Sequence, residues 1–264
     1  MQDILKVEKN TDSIIRLILN DEKSGNSLSD KMISLMSSRL EEISNNEDIK
    51  VVVIASTGKI FCAGHNLKEM TEARQNNDEG KSYFTNLFQS CSDMMQSIVN
   101  CPKPVIAEID GIATAAGCQL VASCDLAIAS DTSSFATPGV NLGLFCSTPM
   151  VALSRNVKKK DAMKMLLTGE MIDAEEAKRI SLINDYVVSE KLSVEVMNLA
   201  KKIASKSMKT VNIGKSAFYK QAELSLSDAY RYTSEVMAKN IMNDDAKEGT
   251  VSYTHLRAHE TGWY

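Results

Sequence analysis

A run of small residues between two apolar segments places the strongest constraint on the fold of this chain. The segment GIATAAGCQLVASCD (111–125) lies between the apolar runs PVIAEI (104–109) and LAIAS (126–130). Glycine and alanine let a backbone approach another group closely. A strand-length apolar run that ends in such residues is typical of a tight turn into a helix. We therefore predict a strand, a close-packed turn, a helix and a second strand.

A second loop has the same character. The segment KIFCAGHNL (59–67) follows the fully apolar run VVVIA (51–55). The first turn of a helix has unpaired N–H groups and the positive end of the helix dipole. Two such turns that converge would place two N–H donors around one developing oxyanion. For either turn alone, close helix–strand packing is the simpler interpretation, but the presence of both favours a donor pocket.

The remaining patterns predict an α/β core with parallel strands and a helical C-terminal part. The runs 4–8 and 13–19 are predicted to form a hairpin, and 184–188 a last strand. A helix capped by Ser27 or Ser29 is expected to reach Asn45, with apolar residues at helical spacing. Further helices are predicted at 82–100, 148–156, 159–167, 174–179 and within 190–243.

Composition excludes several classes of function. The chain has 264 residues, a net charge of −4 and no block of Lys or Arg, so a nucleic-acid partner is not expected. No apolar run has the length of a membrane span, and MQDILKVEKN resembles no targeting segment, so we predict a cytoplasmic protein. The six cysteines form no CxxC pair and are predicted to be buried free thiols. No metal site is expected, because two of the three histidines lie near the C-terminus.

Several ordered motifs resemble the crotonase, or enoyl-CoA hydratase/isomerase, family. They are FCAGHNLKE (61–69), DGIATAAGCQL (110–120), CDLAIAS (124–130), FATPGVNLG (135–143) and LLTGEMIDAEEA (166–177). The resemblance covers about residues 5–249 and implies a crotonase-like spiral of ββα units over residues 1–190. It also implies a C-terminal helical trimerisation region over residues 191–249, in a homotrimer or homohexamer.

The resemblance further implies an acyl-CoA ligand whose thioester oxygen accepts hydrogen bonds from the backbone N–H groups of His65 and Ala116. No separate cofactor is implied, because coenzyme A is part of the substrate. Residues of the first loop would line the CoA moiety, and Lys23 or Lys68 could contact a CoA phosphate, although a solvated lysine is the simpler interpretation of each. The expected CoA-binding residues are Lys23, Ala63, Gly64, His65, Asn66, Leu67, Lys68 and Ala116.

The positions that resemble the catalytic acids of this family carry no acid here. Gln119 and Gly139 stand where hydratases have glutamates, and Ser147 stands near the acid of isomerases. Glutamine can orient a water but cannot accept a proton near neutral pH. Hydratase activity is therefore doubtful. Restoring both acids, by Gln119→Glu with Gly139→Glu, is expected to raise hydration by more than the two single changes combined.

Three functions remain open, and whether the chain is an enzyme is uncertain. The first is a lyase-type acyl-CoA reaction of fatty acid metabolism that needs only the oxyanion hole, such as decarboxylation of a malonyl-type thioester. The second is hydration or isomerisation with a substitute base, for which His65 is the one core histidine. The third is a non-catalytic CoA-binding or regulatory protein.

The last fifteen residues differ in character from the rest. The segment 250–264, TVSYTHLRAHETGWY, contains the only Trp and two of the three His. We treat it as an atypical tail and take a non-native origin as the working hypothesis.

Overall fold

Two sheets alternate along the chain, and helices connect them. The computed structural model describes residues 3–10, 12–248 and 250. The strands are β1 (Leu5–Lys9), β2 (Ile14–Leu19), β3 (Val51–Ser56), β4 (Ile60–Cys62), β5 (Val105–Ile109), β6 (Ile112–Thr114), β7 (Leu126–Ser130), β8 (Ser134–Ala136), β9 (Ile172–Asp173) and β10 (Asp185–Val187). The helices are α1 (Asp30–Ser44), α2 (Leu67–Ala73), α3 (Lys81–Asn100), α4 (Ala116–Ser123), α5 (Ser147–Asn156), α6 (Lys159–Thr168), α7 (Ala174–Arg179), α8 (Ser189–Ala204), α9 (Met208–Ala222) and α10 (Leu226–Ile241).

The strand order confirms the predicted spiral. One sheet has the order β1-β2-β3-β5-β7-β10, and the other has the order β4-β6-β8-β9. The pairs β1–β2 and β8–β9 are antiparallel, and the other pairs are parallel. The chain passes from β3 to β4 and then into helix, and it repeats this order with β5, β6 and α4. Each unit therefore adds one strand to each sheet before a helix returns the chain to the first sheet.

Helix α1 begins where the sequence predicted. The Ser29 hydroxyl accepts a hydrogen bond from the Met32 N–H at 3.2 Å, and this satisfies one of the free donors of the first turn. The apolar residues of the helix recur at helical spacing and are buried: Met32, Ile33, Met36, Leu40 and Ile43. Burial of this face holds α1 on the core.

Helix α8 covers the outer face of the six-stranded sheet. Its buried residues Leu192, Val196 and Ala200 pack in one cluster with residues of four strands. The strand residues of this cluster are Ile14, Val51, Val53, Ile106 and Ile128. The first compact unit ends at Ala204, after α8.

The second unit begins at Ser205 and contains α9 and α10. The ammonium of Lys220 on α9 lies 4.6 Å from the ring centre of Tyr232 on α10. Large apolar side chains of this unit are exposed, among them Phe218, Leu226, Tyr230 and Met237. None of the described helices is long and apolar enough to cross a lipid bilayer. The residues 251–264 of the atypical tail lie outside the described part of the chain.

Gly117 allows α4 to pack directly on β4. A Cβ atom at this position would lie 2.0 Å from the carbonyl oxygen of Cys62. Because that oxygen belongs to the backbone, no side-chain rotation relieves the clash. We expect Gly117→Ala to lower the free energy of unfolding by about 3 kcal/mol, the upper end of typical overpacking costs.

Urea denaturation of the Gly117 variant beside a matched glycine variant measures this effect. Gly214 lies within α9, and a Cβ there would have no neighbour within 4 Å. Gly214→Ala should therefore leave stability unchanged or raise it by up to about 1 kcal/mol. Equal behaviour of the two variants would contradict the packing argument.

Candidate active site

The two small-residue loops meet in the structure. A Cβ on Gly64 would lie 3.2 Å from the backbone nitrogen of Ala116 and 3.0 Å from the Cβ of Ala115. The hydroxyl of Thr114 donates a hydrogen bond to the Ala63 carbonyl at 3.1 Å. Only glycine fits at position 64, because its φ of +92° is also unfavourable for a side chain. The predicted convergence of the two turns is therefore present.

Both loops present backbone N–H groups without a backbone acceptor in the described part of the chain. The contact between Leu28 and the first loop uses the Leu28 N–H and the Gly64 carbonyl, at 2.7 Å, and leaves the His65 N–H free. Ala116 is the first residue of α4, so its N–H belongs to the unpaired donors of the first turn. The site therefore has two candidate donors for one oxygen.

Ala115 has a strained backbone that directs the second donor. Its φ is +51° and its ψ is −117°, a conformation that costs a non-glycine residue about 1–3 kcal/mol. The Ala115 N–H donates to the Ala136 carbonyl at 2.9 Å, and the Ala115 carbonyl accepts from the Gln119 N–H at 3.1 Å. These bonds hold the turn, so that α4 starts with its free N–H next to Gly64.

The imidazole of His65 is inserted beneath α3. Its ring lies 5.4 Å from the ring of Phe88 in an edge-to-face arrangement. Both ring nitrogens are buried and make no hydrogen bond of full geometry among the described residues, although the Leu28 backbone lies close enough to interact with the ring. Burial lowers the pKa of His65 from its ordinary value, and the Leu28 backbone and the Asp30 charge oppose this only in part. The imidazole is therefore neutral at pH 7.

Gln119 and Gly139 are both buried, and they differ in the space around them. Gln119 is 5% exposed, and its Oε1 has no partner among the described residues. A Cβ on Gly139 would lie 2.2 Å from the Leu144 carbonyl oxygen and 2.8 Å from the Cys146 Sγ. Gly139 therefore has no room for a side chain, and this steric block argues against the predicted gain from adding Gly139→Glu to Gln119→Glu.

Cysteine chemistry does not replace the missing acids. All six cysteines are free and buried, as the sequence predicted. Burial raises the pKa of Cys118 to about 12, and it also raises the pKa of Cys146 next to Gly139. Both groups remain protonated thiols at neutral pH, which are poor nucleophiles. Ser147, near the position of the isomerase acid, begins α5 and is exposed.

Unpaired polar atoms concentrate around the two donors. Eight buried side-chain nitrogen or oxygen atoms of the described residues have no hydrogen-bond partner, and five of them belong to Ser27, His65, Gln119 and Thr137. Each of these residues lies on a segment that is bonded to the donor loops: Leu28 to Gly64, and Ala136 to Ala115. Buried polar groups are normally paired, and a cluster of exceptions marks a place where a ligand or water binds. Ser27 and Thr137 were not predicted from the sequence, because no local pattern distinguishes them from ordinary turn residues.

The residues expected to contact CoA lie on the exposed side of the first loop. Ala63, Leu67 and Lys68 are exposed, and the Asn66 side chain caps α2 by accepting from the Lys68 and Glu69 N–H groups. Lys23 is exposed on a short 3₁₀ helix, Glu22–Ser24, and the adjacent Gly25 carbonyl accepts from the Ala63 N–H at 3.0 Å. The structure thus places these residues on one flank of the site, with His65 turned to the other.

Comparison with known proteins identifies the family of this chain. A sequence model of the enoyl-CoA hydratase/isomerase family matches residues 9–260. The chain belongs to the enoyl-CoA hydratase/isomerase family. The rat mitochondrial enoyl-CoA hydratase domain-containing protein 3 is 48% identical over 246 residues, which cover 93% of this chain and 80% of that protein. The family that the sequence motifs resemble is therefore confirmed.

Solved structures agree with this assignment. The crystal structure of human enoyl-CoA hydratase domain-containing protein 3 is 44% identical, with a TM-score of 0.89 and coverage of 96% of this chain and 97% of that one. An enoyl-CoA hydratase from Mycobacterium smegmatis is 41% identical, with a TM-score of 0.92 and coverage of 96% and 97%. The family binds acyl-CoA substrates and typically oligomerises.

The expected cytoplasmic location is wrong. The relatives from rat, mouse, human and Xenopus, at 46–48% identity, are all named as mitochondrial proteins. The expectation rested on the absence of a recognisable targeting pattern in MQDILKVEKN, which is a statement about one short segment only.

Proposed function

We propose that the chain binds an acyl-CoA thioester and stabilises its enolate between the backbone N–H groups of His65 and Ala116. The observation that carries this proposal is the close approach of the two loops, since a Cβ placed on Gly64 would lie 3.2 Å from the Ala116 nitrogen. The N–H groups of His65 and Ala116 have no backbone acceptor among the described residues. Fixed backbone donors of this kind are effective because they need no reorganisation when charge develops.

The chemistry that fits the site best needs no protein base. Gln119 cannot accept a proton, Gly139 has no side chain, and Cys118 and Cys146 stay protonated. Loss of CO₂ from a malonyl-type thioester leaves its bonding electron pair on the substrate as an enolate. Formation of the enolate therefore requires only the two donors, and a proton from water then gives the acyl-CoA product. Binding without turnover is the second candidate, and it is favoured by the same lack of carboxyl groups at positions 119 and 139.

A binding and turnover panel on the full chain tests the proposal. Calorimetric titration with butyryl-CoA, a saturated thioester, reports binding without reaction. Incubation with crotonyl-, malonyl- and methylmalonyl-CoA, followed by mass spectrometry of the products, reports chemistry. Decarboxylated products support the first candidate, and binding without any product supports the second. Lack of binding by every thioester would overturn the proposal.

We also propose that the helices of the second unit carry self-association into a trimer or hexamer. The support is the set of exposed apolar side chains on α9 and α10, including Phe218 at 64% and Leu226 at 77% exposure. Exposed apolar groups of this density are typical of surfaces that are buried in an assembly. Sedimentation equilibrium should give a mass of three or six chains, and a monomer at micromolar concentration would contradict this.

A further inference from the structure

A row of aromatic rings runs from the donor loop along α3. The His65 ring contacts Phe88 at 5.4 Å, Phe88 stacks on Phe84 at 6.5 Å with an interplanar angle of 23°, and Phe84 contacts Tyr83 at 5.7 Å. The guanidinium carbon of Arg74 lies 5.2 Å from the ring centre of Phe84. The row therefore continues without interruption from an oxyanion donor toward the surface.

The two sides of the donors differ in exposure. Ala63, Leu67 and Lys68 are exposed on one flank, whereas the other holds the buried nitrogens of His65 and the buried Oε1 of Gln119. The CoA moiety is large and carries several negative charges, so it requires the exposed flank. The acyl group of a thioester held between the donors then points to the less exposed flank, where the half-buried rings of His65 and Phe88 lie.

The rings leave no passage at that point. Aromatic rings in direct contact have centroids about 4.5–7 Å apart, and the His65–Phe88 distance lies within this range. A methylene chain is itself several ångströms wide, so it can pass between the His65 and Phe88 rings only if the two rings separate. We infer that the His65–Phe88 contact is the wall that ends the acyl site, and that Phe88 restricts this protein to short acyl groups. The inference rests on the proposed acyl-CoA binding.

Phe88 is held in this position by its surroundings. It packs against the main core next to Leu87 and Cys91, which are 3% and 1% exposed on the same helix. Phe84 covers it from the other side at 6.5 Å. The ring is half-buried, and displacing it would cost its contacts with the core and with Phe84. A longer acyl chain therefore meets a fixed obstacle rather than a mobile side chain.

Titration with a series of saturated thioesters tests this inference. Acetyl-, butyryl-, hexanoyl-, octanoyl- and decanoyl-CoA are titrated into the full chain by calorimetry. In an open apolar channel, affinity would rise about fourfold for each added methylene. We expect the affinity of the wild-type protein to peak at butyryl- or hexanoyl-CoA, with octanoyl-CoA at least tenfold weaker.

Phe88→Ala should improve octanoyl-CoA binding at least tenfold and change butyryl-CoA binding less than threefold. Phe88→Trp should move the peak toward acetyl-CoA.

Tyr83→Ala is the matched control. It removes a ring from the same helix that contacts Phe84 rather than Phe88, so the chain-length profile should stay as in the wild type. Two results would contradict the inference that Phe88 ends the acyl site, while acyl-CoA binding itself would stand. One is a wild-type affinity that rises steadily to decanoyl-CoA, and the other is a chain-length profile that neither Phe88 variant changes. Failure of every thioester to bind the wild type would overturn both proposals. Retained butyryl-CoA affinity in Phe88→Ala and Tyr83→Ala, and retained acetyl-CoA affinity in Phe88→Trp, shows that the site is folded.

Discussion

Ala116→Pro should abolish acyl-CoA binding while the fold persists. Proline has no N–H, and its ring carbon occupies the direction in which the Ala116 N–H points. Loss of a single oxyanion donor typically reduces catalysis about 10²–10³-fold, and the ring carbon additionally blocks the place of the thioester oxygen. We therefore expect butyryl-CoA affinity to fall at least 100-fold. Calorimetric titration measures the affinity, and sedimentation and thermal melting measure the integrity of the protein.

Ala116 is the first residue of α4, so proline there removes no helical hydrogen bond. Proline disfavours the ψ of −117° at the preceding Ala115, so the melting temperature of the variant is measured beside each titration. Ala116→Gly is the matched control, since it keeps the N–H and adds no atom to a residue that is 1% exposed. The glycine variant should bind butyryl-CoA within about threefold of the wild type. If the folded proline variant bound equally well, Ala116 would not be a donor.

Local patterns explain which parts of the fold could be predicted. Helix α1 has a capping serine and a buried stripe at helical spacing, both of which are encoded within a few residues. The strands β3, β5 and β7 are apolar runs of buried length, and each was predicted close to its observed bounds. These elements belong to the six-stranded sheet, where burial on both faces leaves a clear trace in the sequence.

The strands of the second sheet were harder to predict. The strands β4 and β6 have three residues each, Ile60–Cys62 and Ile112–Thr114, and they lie within segments predicted as loops. Strands this short show neither alternation nor a long apolar run. They nevertheless position the site, because they lead directly into the two donor loops. The family resemblance implied them, whereas residue patterns alone did not.

Features that depend on tertiary contacts had no local signal. The positive φ of Ala115 is stabilised by a hydrogen bond to Ala136, which lies on a strand that follows later in the chain. The steric block at Gly139 comes from Leu144 and Cys146, so it appears only once the following turn is built. The contact of Phe88 with His65 likewise joins residues 23 positions apart. Sequence identified the residue types of the site but not the space around them.

Because the site lacks a carboxylic acid at both hydratase positions, we expect the wild-type protein to hydrate crotonyl-CoA at a negligible rate. Each acid or base group that transfers a proton typically contributes about 10²–10⁴-fold, and both hydratase positions lack one. A combined loss of about 10⁴-fold or more would place turnover far below the common enzyme value of about 10 s⁻¹. Absorbance of the enoyl thioester measures the rate, and butyryl-CoA titration of the same sample verifies that the site binds.

Restoring acids one at a time distinguishes lack of chemistry from lack of space. Gln119→Glu keeps nearly the same shape and should raise hydration less than about tenfold, because no second acid acts with it. Gly139→Glu should instead destabilise the protein, since its Cβ would lie 2.2 Å from the Leu144 carbonyl. The double variant should therefore melt lower and gain no more than Gln119→Glu alone. Hydration by the unmodified protein at an ordinary enzymatic rate would defeat this argument. The neutral imidazole of His65 would then be the group to test as the base, because neutral imidazole can accept a proton where glutamine cannot.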